Sequence, residues 1–133
     1  MNFTTNQTIK RFLLISLIVS YVFAGLNHFI NPNFYYPLFP SYLQHWHVAL
    51  NTLAGFAEII LGIMMIFKAY RKVGSFLIVA MLIAFLPVHM YFIQMKSCLP
   101  YSTICLPEWV GWVRLLIIHP ILILWAYFSG NIR

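Results

Sequence analysis

Aspartate is absent from this sequence, and Glu58 and Glu108 are the only acidic side chains among its 133 residues. Charged residues make up 8% of the chain, against about a quarter in an ordinary soluble domain, and this excludes a water-soluble fold. There is no glycine-rich phosphate loop, no serine-nucleophile motif, no internal repeat and no low-complexity tract. Metal ligands are scarce too: no pair has the same-helix spacing of a strong metal motif, and His45 and His47 are neighbours in a loop. The net charge of +6 does not point to nucleic acid, because the basic residues lie scattered beside apolar runs and are not gathered on one face.

What fills the chain is apolar. Hydrophobic residues account for 62% of it. Four runs, about 12–29, 48–67, 73–95 and 110–128, approach or reach the roughly 20 helical residues needed to span a bilayer core. They leave no room for a separate soluble domain, so the expectation is a single all-α membrane domain over residues 1–133, a four-transmembrane-helix bundle. The first run is too long for a signal-peptide core and lacks a small-x-small cleavage site, so it is expected to be retained.

Lys10 and Arg11 precede the first run, Lys68, Arg71 and Lys72 separate the second from the third, and Arg133 ends the chain. The positive-inside rule places these segments in the cytoplasm, giving an N-in/C-in topology. The opposite connections, residues 30–47 and 96–109, share one lysine and are rich in Tyr, Trp, Phe, His and Pro, as suits an outer membrane–water interface. Both cysteines, Cys98 and Cys105, fall in the second of these. A structural disulfide in an oxidising periplasm is the favoured reading. A redox-active dithiol is the sharper one, although the gap is not Cys-x-x-Cys, and two free thiols are the third.

Ionisable residues in lipid are costly and face a bundle interior or a wet cavity. Glu58 lies near the middle of the second run, His89 in the outer half of the third, Arg114 and His119 in the fourth, and Asn27 and His28 close the first. Asn51, Gly55, Glu58 and Gly62 line one helical face, a small and polar stripe that invites close helix packing. Tyr21, Gly25 and His28 form a similar stripe on the first helix, and Phe85, His89 and Phe92 on the third. Pro87 and Pro120 are expected to kink the third and fourth helices beside their histidines. By helical rise, the polar residues descend from the outer surface to about 15 Å and stop; beyond lie the hydroxyls of Ser16, Ser20 and Ser75. This asymmetry argues for a blind pocket open outward and against a channel. Arg114 and His119 are about 140° apart on an α-helix, so they are not expected to share one spot. Arg114 is long enough to reach Glu58. An internal ion pair that fixes helix register explains those two as well as a ligand site does, and for each histidine alone a packed core residue is the simpler explanation. Haem, with His28, His89 or His119 as axial ligand, and metal both rank below an organic ligand.

Gly25-Leu26-Asn27-His28-Phe29 with Pro32, Gly55-Phe56-Ala57-Glu58 with Gly62, Leu86-Pro87-Val88-His89-Met90 and Trp112-Val113-Arg114-Leu115 resemble the four successive signatures of DoxX-like membrane proteins. The resemblance implies a four-helix bundle in the bacterial inner membrane. It also implies redox work, including quinone-linked thiosulfate oxidation and partnership with thiol or superoxide-handling proteins, while distant relatives are assembly factors. The fourth helix departs from the pattern, with Leu116 and Ile118 where many relatives carry proline and glutamine, and His119-Pro120 just beyond. The loop cysteines lie outside the pattern.

These readings combine into one expectation: a redox-associated protein binding a small apolar molecule with a polar head between its helices. A quinone is favoured over haem or metal, since its two carbonyls accept hydrogen bonds. Glu58, Arg114 and His89 would orient the head, with His119 deepest, Asn27, His28 and Asn51 at the mouth, and Phe85 and Phe92 against the ring. The lipid bilayer and a membrane or periplasmic redox protein are the expected partners. The rival is a non-catalytic accessory or assembly subunit of a larger complex, with the polar cluster as internal glue.

Overall fold

The computed structural model describes residues 3–99, 102–103 and 105–132, and the side chains of these from residue 7 onward. Pro100, Tyr101 and Ile104 of the connection between the third and fourth spans, and the basic residue Arg133, lie outside the described residues. Helix α1 runs Phe3–Ile30, a short α2 covers Pro32–Tyr35, and α3 runs His47–Met64. The third span is divided into α4, Arg71–Ala84, and α5, Leu86–Gln94. The fourth comprises α6, Glu108–Val113, a π-turn at Arg114–Ile118, and α7, His119–Ser129.

Four spans, Gln7–Ile30, Ser41–Met64, Arg71–Gln94 and Glu108–Ser129, are long and apolar enough to cross a membrane. Within each, only 17 to 33% of the most apolar window is buried inside the protein. The rest, including Phe12, Phe23, Phe67, Phe76, Leu116 and Phe128, is exposed and apolar, the inverse of a water-soluble helix. Trp46, Trp109, Trp112 and Tyr42 are exposed toward the end of the bundle that holds the aromatic connections.

The first helix begins well before residue 12. The first connection, expected as plain loop, is folded into α2 and 3₁₀ turns at Tyr36–Leu38 and Ser41–Trp46. Prolines account for the two irregular spans. Pro87 occupies the first turn of α5, where its missing N–H breaks no bond, and the break falls at Phe85. Helix α5 ends in a Schellman turn: Ser97 N–H donates to the Phe92 carbonyl and Lys96 N–H to that of Ile93, with Lys96 and Ser97 at positive φ. Beyond it Cys98 and Cys105 form a disulfide, so the staple is the arrangement present.

Helix α1 packs along α3, and α4 along α7. Gly25 and Gly55 set the first contact, because a Cβ on Gly25 would lie 2.7 Å from the Gly55 carbonyl oxygen. At the end near the basic connection the pairs close over Leu14, Leu17, Leu61, Met65, Ile78, Leu82 and Ala126. Arg71 is buried there with no carboxylate partner among the described residues; its guanidinium donates to the carbonyls of Met65, Ile66 and Ile132. Trp125 Nε1 donates to the Leu13 carbonyl, tying α7 to α1. At the other end a smaller cluster joins Leu38, Phe92 and Leu99. Between the two clusters the pairs separate.

Candidate functional site

The separation leaves a cavity of about 340 Å³, within the size range of small-molecule sites. Every span contributes: Ser20, Tyr21, Ala24 and His28 from α1, Ala54 and Glu58 from α3, Leu82, Phe85, Val88 and His89 from the third span, and Arg114, Ile118, His119 and Leu122 from the fourth. Phe34, Tyr35, Leu38 and Phe39 of the first connection line the end nearest that connection. Leu82 of one core cluster and Leu38 of the other bracket it.

On one wall the glycine contact brings the two sequence stripes together. Glu58 Oε2 lies 3.5 Å from His28 Nε2, within ion-pair reach but without a hydrogen bond. The other ring nitrogen of His28, Nδ1, is 2.6 Å from Asn51 Oδ1, and Asn51 Nδ2 donates to the His28 backbone carbonyl at 2.9 Å. Tyr35 stacks on the imidazole, with centroids 3.7 Å apart. Asn27 Nδ2 in turn donates to the Tyr35 hydroxyl at 2.8 Å, and Asn27 Oδ1 accepts from Asn31 Nδ2.

The facing wall is cationic and imidazole-rich. The His89 and His119 rings meet edge to face at 4.7 Å, and Arg114 lies 5.7 Å from the centre of the Phe92 ring. Three buried polar atoms here have no hydrogen-bond partner: Glu58 Oε2, His89 Nδ1 and His119 Nε2. A buried polar group left without a partner costs about 1–3 kcal/mol, and all three belong to side chains that line this one cavity.

Five of the seven expected ligand-binding residues, His28, Glu58, His89, Arg114 and His119, therefore surround one space. Asn27 and Asn51 do not line it; they stand behind His28 and Tyr35 and hold them. Three expectations are corrected. Glu58 contacts His28 and forms no ion pair with Arg114, because the glycine seam brings α1 nearer than the fourth span. Arg114 and His119 do line the same cavity, because the π-turn between them advances less rotation per residue than an α-turn. Phe92 does not line it: at 2% exposure it packs among Leu38 and Leu99.

Ser20, assigned with the inner-half hydroxyls, borders the cavity, whereas Ser75 bonds the Ala126 carbonyl and Ser16 that of Phe12. Tyr35, Phe34, Leu38 and Phe39 were not legible as site residues, since a folded-back connection carries no periodic signal. Pro32, which starts α2, was the nearest sign of it. Among the described residues, no group of three or more His, Cys, Asp or Glu could hold a metal ion.

A family model described as "Domain of unknown function (DUF8561)" matches residues 17–129. No curated protein matches the chain, and no solved structure does.

Proposed function

We propose, for this chain that belongs to the family of the domain of unknown function DUF8561, that it binds a small amphipathic molecule inside a membrane. The ligand sits between the helix pairs, apolar body among Phe85, Val88, Ile118 and Leu122 and polar head among Glu58, His89, Arg114 and His119. One observation carries this reading: three unpartnered buried polar atoms and an arginine converge on a single cavity of ligand size. Internal glue would pair such groups with each other; here His89 Nδ1 and His119 Nε2 have no hydrogen-bond partner, and Glu58 Oε2 has only the His28 ring nitrogen within ion-pair reach.

The head is of the quinone class. Arg114 is a donor only and the two imidazoles can each present a ring N–H, so a carbonyl oxygen of a flat ring meets several donors on the wall that Arg114, His89 and His119 line. The ordered match of four short signatures supports a DoxX-like relationship and, with it, redox association in a bacterial inner membrane. The basic residues Lys10, Arg11, Lys68 and Lys72 support an N-in/C-in orientation, which places the cavity in the outer half, within reach of a membrane or periplasmic redox partner.

The test is native mass spectrometry with organic extraction and an absorption spectrum on gently purified protein and its Glu58→Gln variant. A quinone present in the first and lost in the second is the expected result. Two empty and equally stable proteins would overturn the reading and leave an accessory or assembly subunit in its place.

A further inference from the structure

The hydrogen bonds behind the cavity wall fix where a proton must be. Asn51 is 2% exposed and its amide has one consistent orientation. Nδ2 faces the His28 backbone carbonyl, which can only accept, so that atom is the amide nitrogen and Oδ1 is the oxygen. Oδ1 in turn can only accept, so the His28 nitrogen 2.6 Å away, Nδ1, carries a hydrogen. In the neutral ring Nε2 is then a bare lone pair, with Glu58 Oε2 3.5 Å away. A bare carboxylate against a bare ring nitrogen, both buried, would be two acceptors facing each other without a donor. One of the two therefore holds a proton: either a carboxylic acid faces a neutral imidazole, or a carboxylate faces an imidazolium. Both forms have the same net charge of zero.

We propose that Glu58 and His28 hold one exchangeable proton for the cavity's occupant, and that Asn51 is the positioning residue that fixes the His28 tautomer. This deepens the quinone-class reading and rests on it for the ligand alone. Across the space stand Arg114, His89 and His119, with Tyr21 beside Glu58 on the near side. The site is thus split: one wall exchanges a proton and the other receives negative charge. A hydroquinone suits it. Its O–H bond breaks, the proton passes to whichever of Glu58 Oε2 and His28 Nε2 is still bare, so that a carboxylic acid then faces an imidazolium, and the electron pair stays on the ligand oxygen, whose charge Arg114 meets; the reverse step returns the proton. No electron moves in this exchange. The ligand class is accordingly one with an ionisable hydroxyl on a flat ring, not any apolar molecule of the right size.

Nitrogen-15 NMR of histidine-labelled protein in nanodiscs reads the tautomer directly. The expected wild-type His28 signal has a pyrrole-like, protonated Nδ1, and Asn51→Leu abolishes that preference while Asn51→Asp, which keeps an acceptor there, retains it. A wild-type ring protonated on Nε2 with a bare Nδ1, or a tautomer indifferent to Asn51→Leu, overturns the positioning role. Should Asn51→Leu not fold, the wild-type and Asn51→Asp spectra decide. The ligand arm is the ultraviolet absorption spectrum of bound decylubiquinol in nanodiscs, because the proton moves within the complex and the buffer sees none of it. The bound ligand should show the red-shifted band of a hydroquinone anion in the wild type, and the neutral band in Glu58→Gln saturated with added decylubiquinol. Binding with the neutral band in the wild type overturns the exchange; no binding at all overturns the quinone-class reading, and the nitrogen-15 spectrum still decides the role of Asn51.

Discussion

The backbone N–H of His119 donates to the carbonyl of Arg114, five residues back, and this one π-type bond places both side chains on the same cavity. Its cause is the next residue. Pro120 has no N–H to give to Leu116 and crowds that turn, so the helix takes up the slack as a π-turn. Replacing Pro120 by alanine restores a donor and favours a regular α-turn, which rotates Arg114 and His119 apart. Pro120→Ala is therefore expected to raise the unfolding free energy by up to about the 3 kcal/mol a mid-helix proline costs, read as a higher thermal midpoint, and to lose bound ligand. A variant that is more stable and still retains its ligand would show that the π-turn is not what assembles the site.

That turn also marks where reading the sequence by helical period reaches its limit. Asn51, Gly55, Glu58 and Gly62 were legible as one face because α3 is regular throughout, and their partner stripe on α1 was legible for the same reason. Arg114 and His119 were misplaced relative to each other because a constant 100° per residue is wrong across a π-turn; Pro120 was the signal, read as a kink and not as a change of phase. The pairing of Glu58 with His28 instead of Arg114 depends on how closely α1 and α3 approach, and side-chain reach alone did not decide it. Tyr35 and Phe34 belong to tertiary structure entirely.

The α1–α3 contact makes its own prediction. A Cβ on Gly55 would lie 2.8 Å from His28 Cβ and from Phe29 Cε2 and 3.0 Å from the Gly25 carbonyl oxygen, and two of these three atoms belong to the backbone or sit next to it. Gly55→Ala and Gly25→Ala should each destabilise the protein by about 1–3 kcal/mol, the usual cost of overpacking. Because both push the same two helices apart, the double variant should cost less than the sum. Thermal unfolding of the three variants in one detergent measures this, and strict additivity would mean that the two glycines do not act through one shared seam.

Arg71 holds the opposite end of the bundle. It is 7% exposed, and with carbonyls of the α3–α4 turn and of Ile132 as its bonding partners it acts as a clasp for the end of the fourth span. Hydrogen bonds to a charged group contribute about 1.5–3 kcal/mol, so Arg71→Ala should cost at least about 3 kcal/mol, allowing for relaxation, and should speed hydrogen exchange at residues 129–132. Arg71→Lys keeps the charge but not the planar fork, and should fall between the two. Equal loss from both variants would locate the effect in the fork; no loss from lysine would locate it in charge.

The cavity's exposed lining residues decide how a ligand reaches it. At the end under the first connection Leu38 is buried and Phe34 is 50% exposed, while on the flank between α1 and the fourth span Ile118 is 47% exposed and Ser20 is exposed, so this apolar flank is open at mid-depth. A lipid-soluble molecule would pass through this flank without crossing the aromatic roof. Ile118→Trp narrows the opening from outside without touching Glu58, His89 or Arg114. It should slow release of decylubiquinol into ligand-free nanodiscs roughly tenfold for each 1.4 kcal/mol it adds to the escape barrier, and equilibrium affinity is measured alongside, because Ile118 also lines the ligand's apolar body. Stopped-flow release from wild type and variant measures the ratio. Unchanged kinetics in Ile118→Trp, together with faster release on truncating Phe39 to alanine, would move the gate to the roof and restore a pocket that opens outward to water.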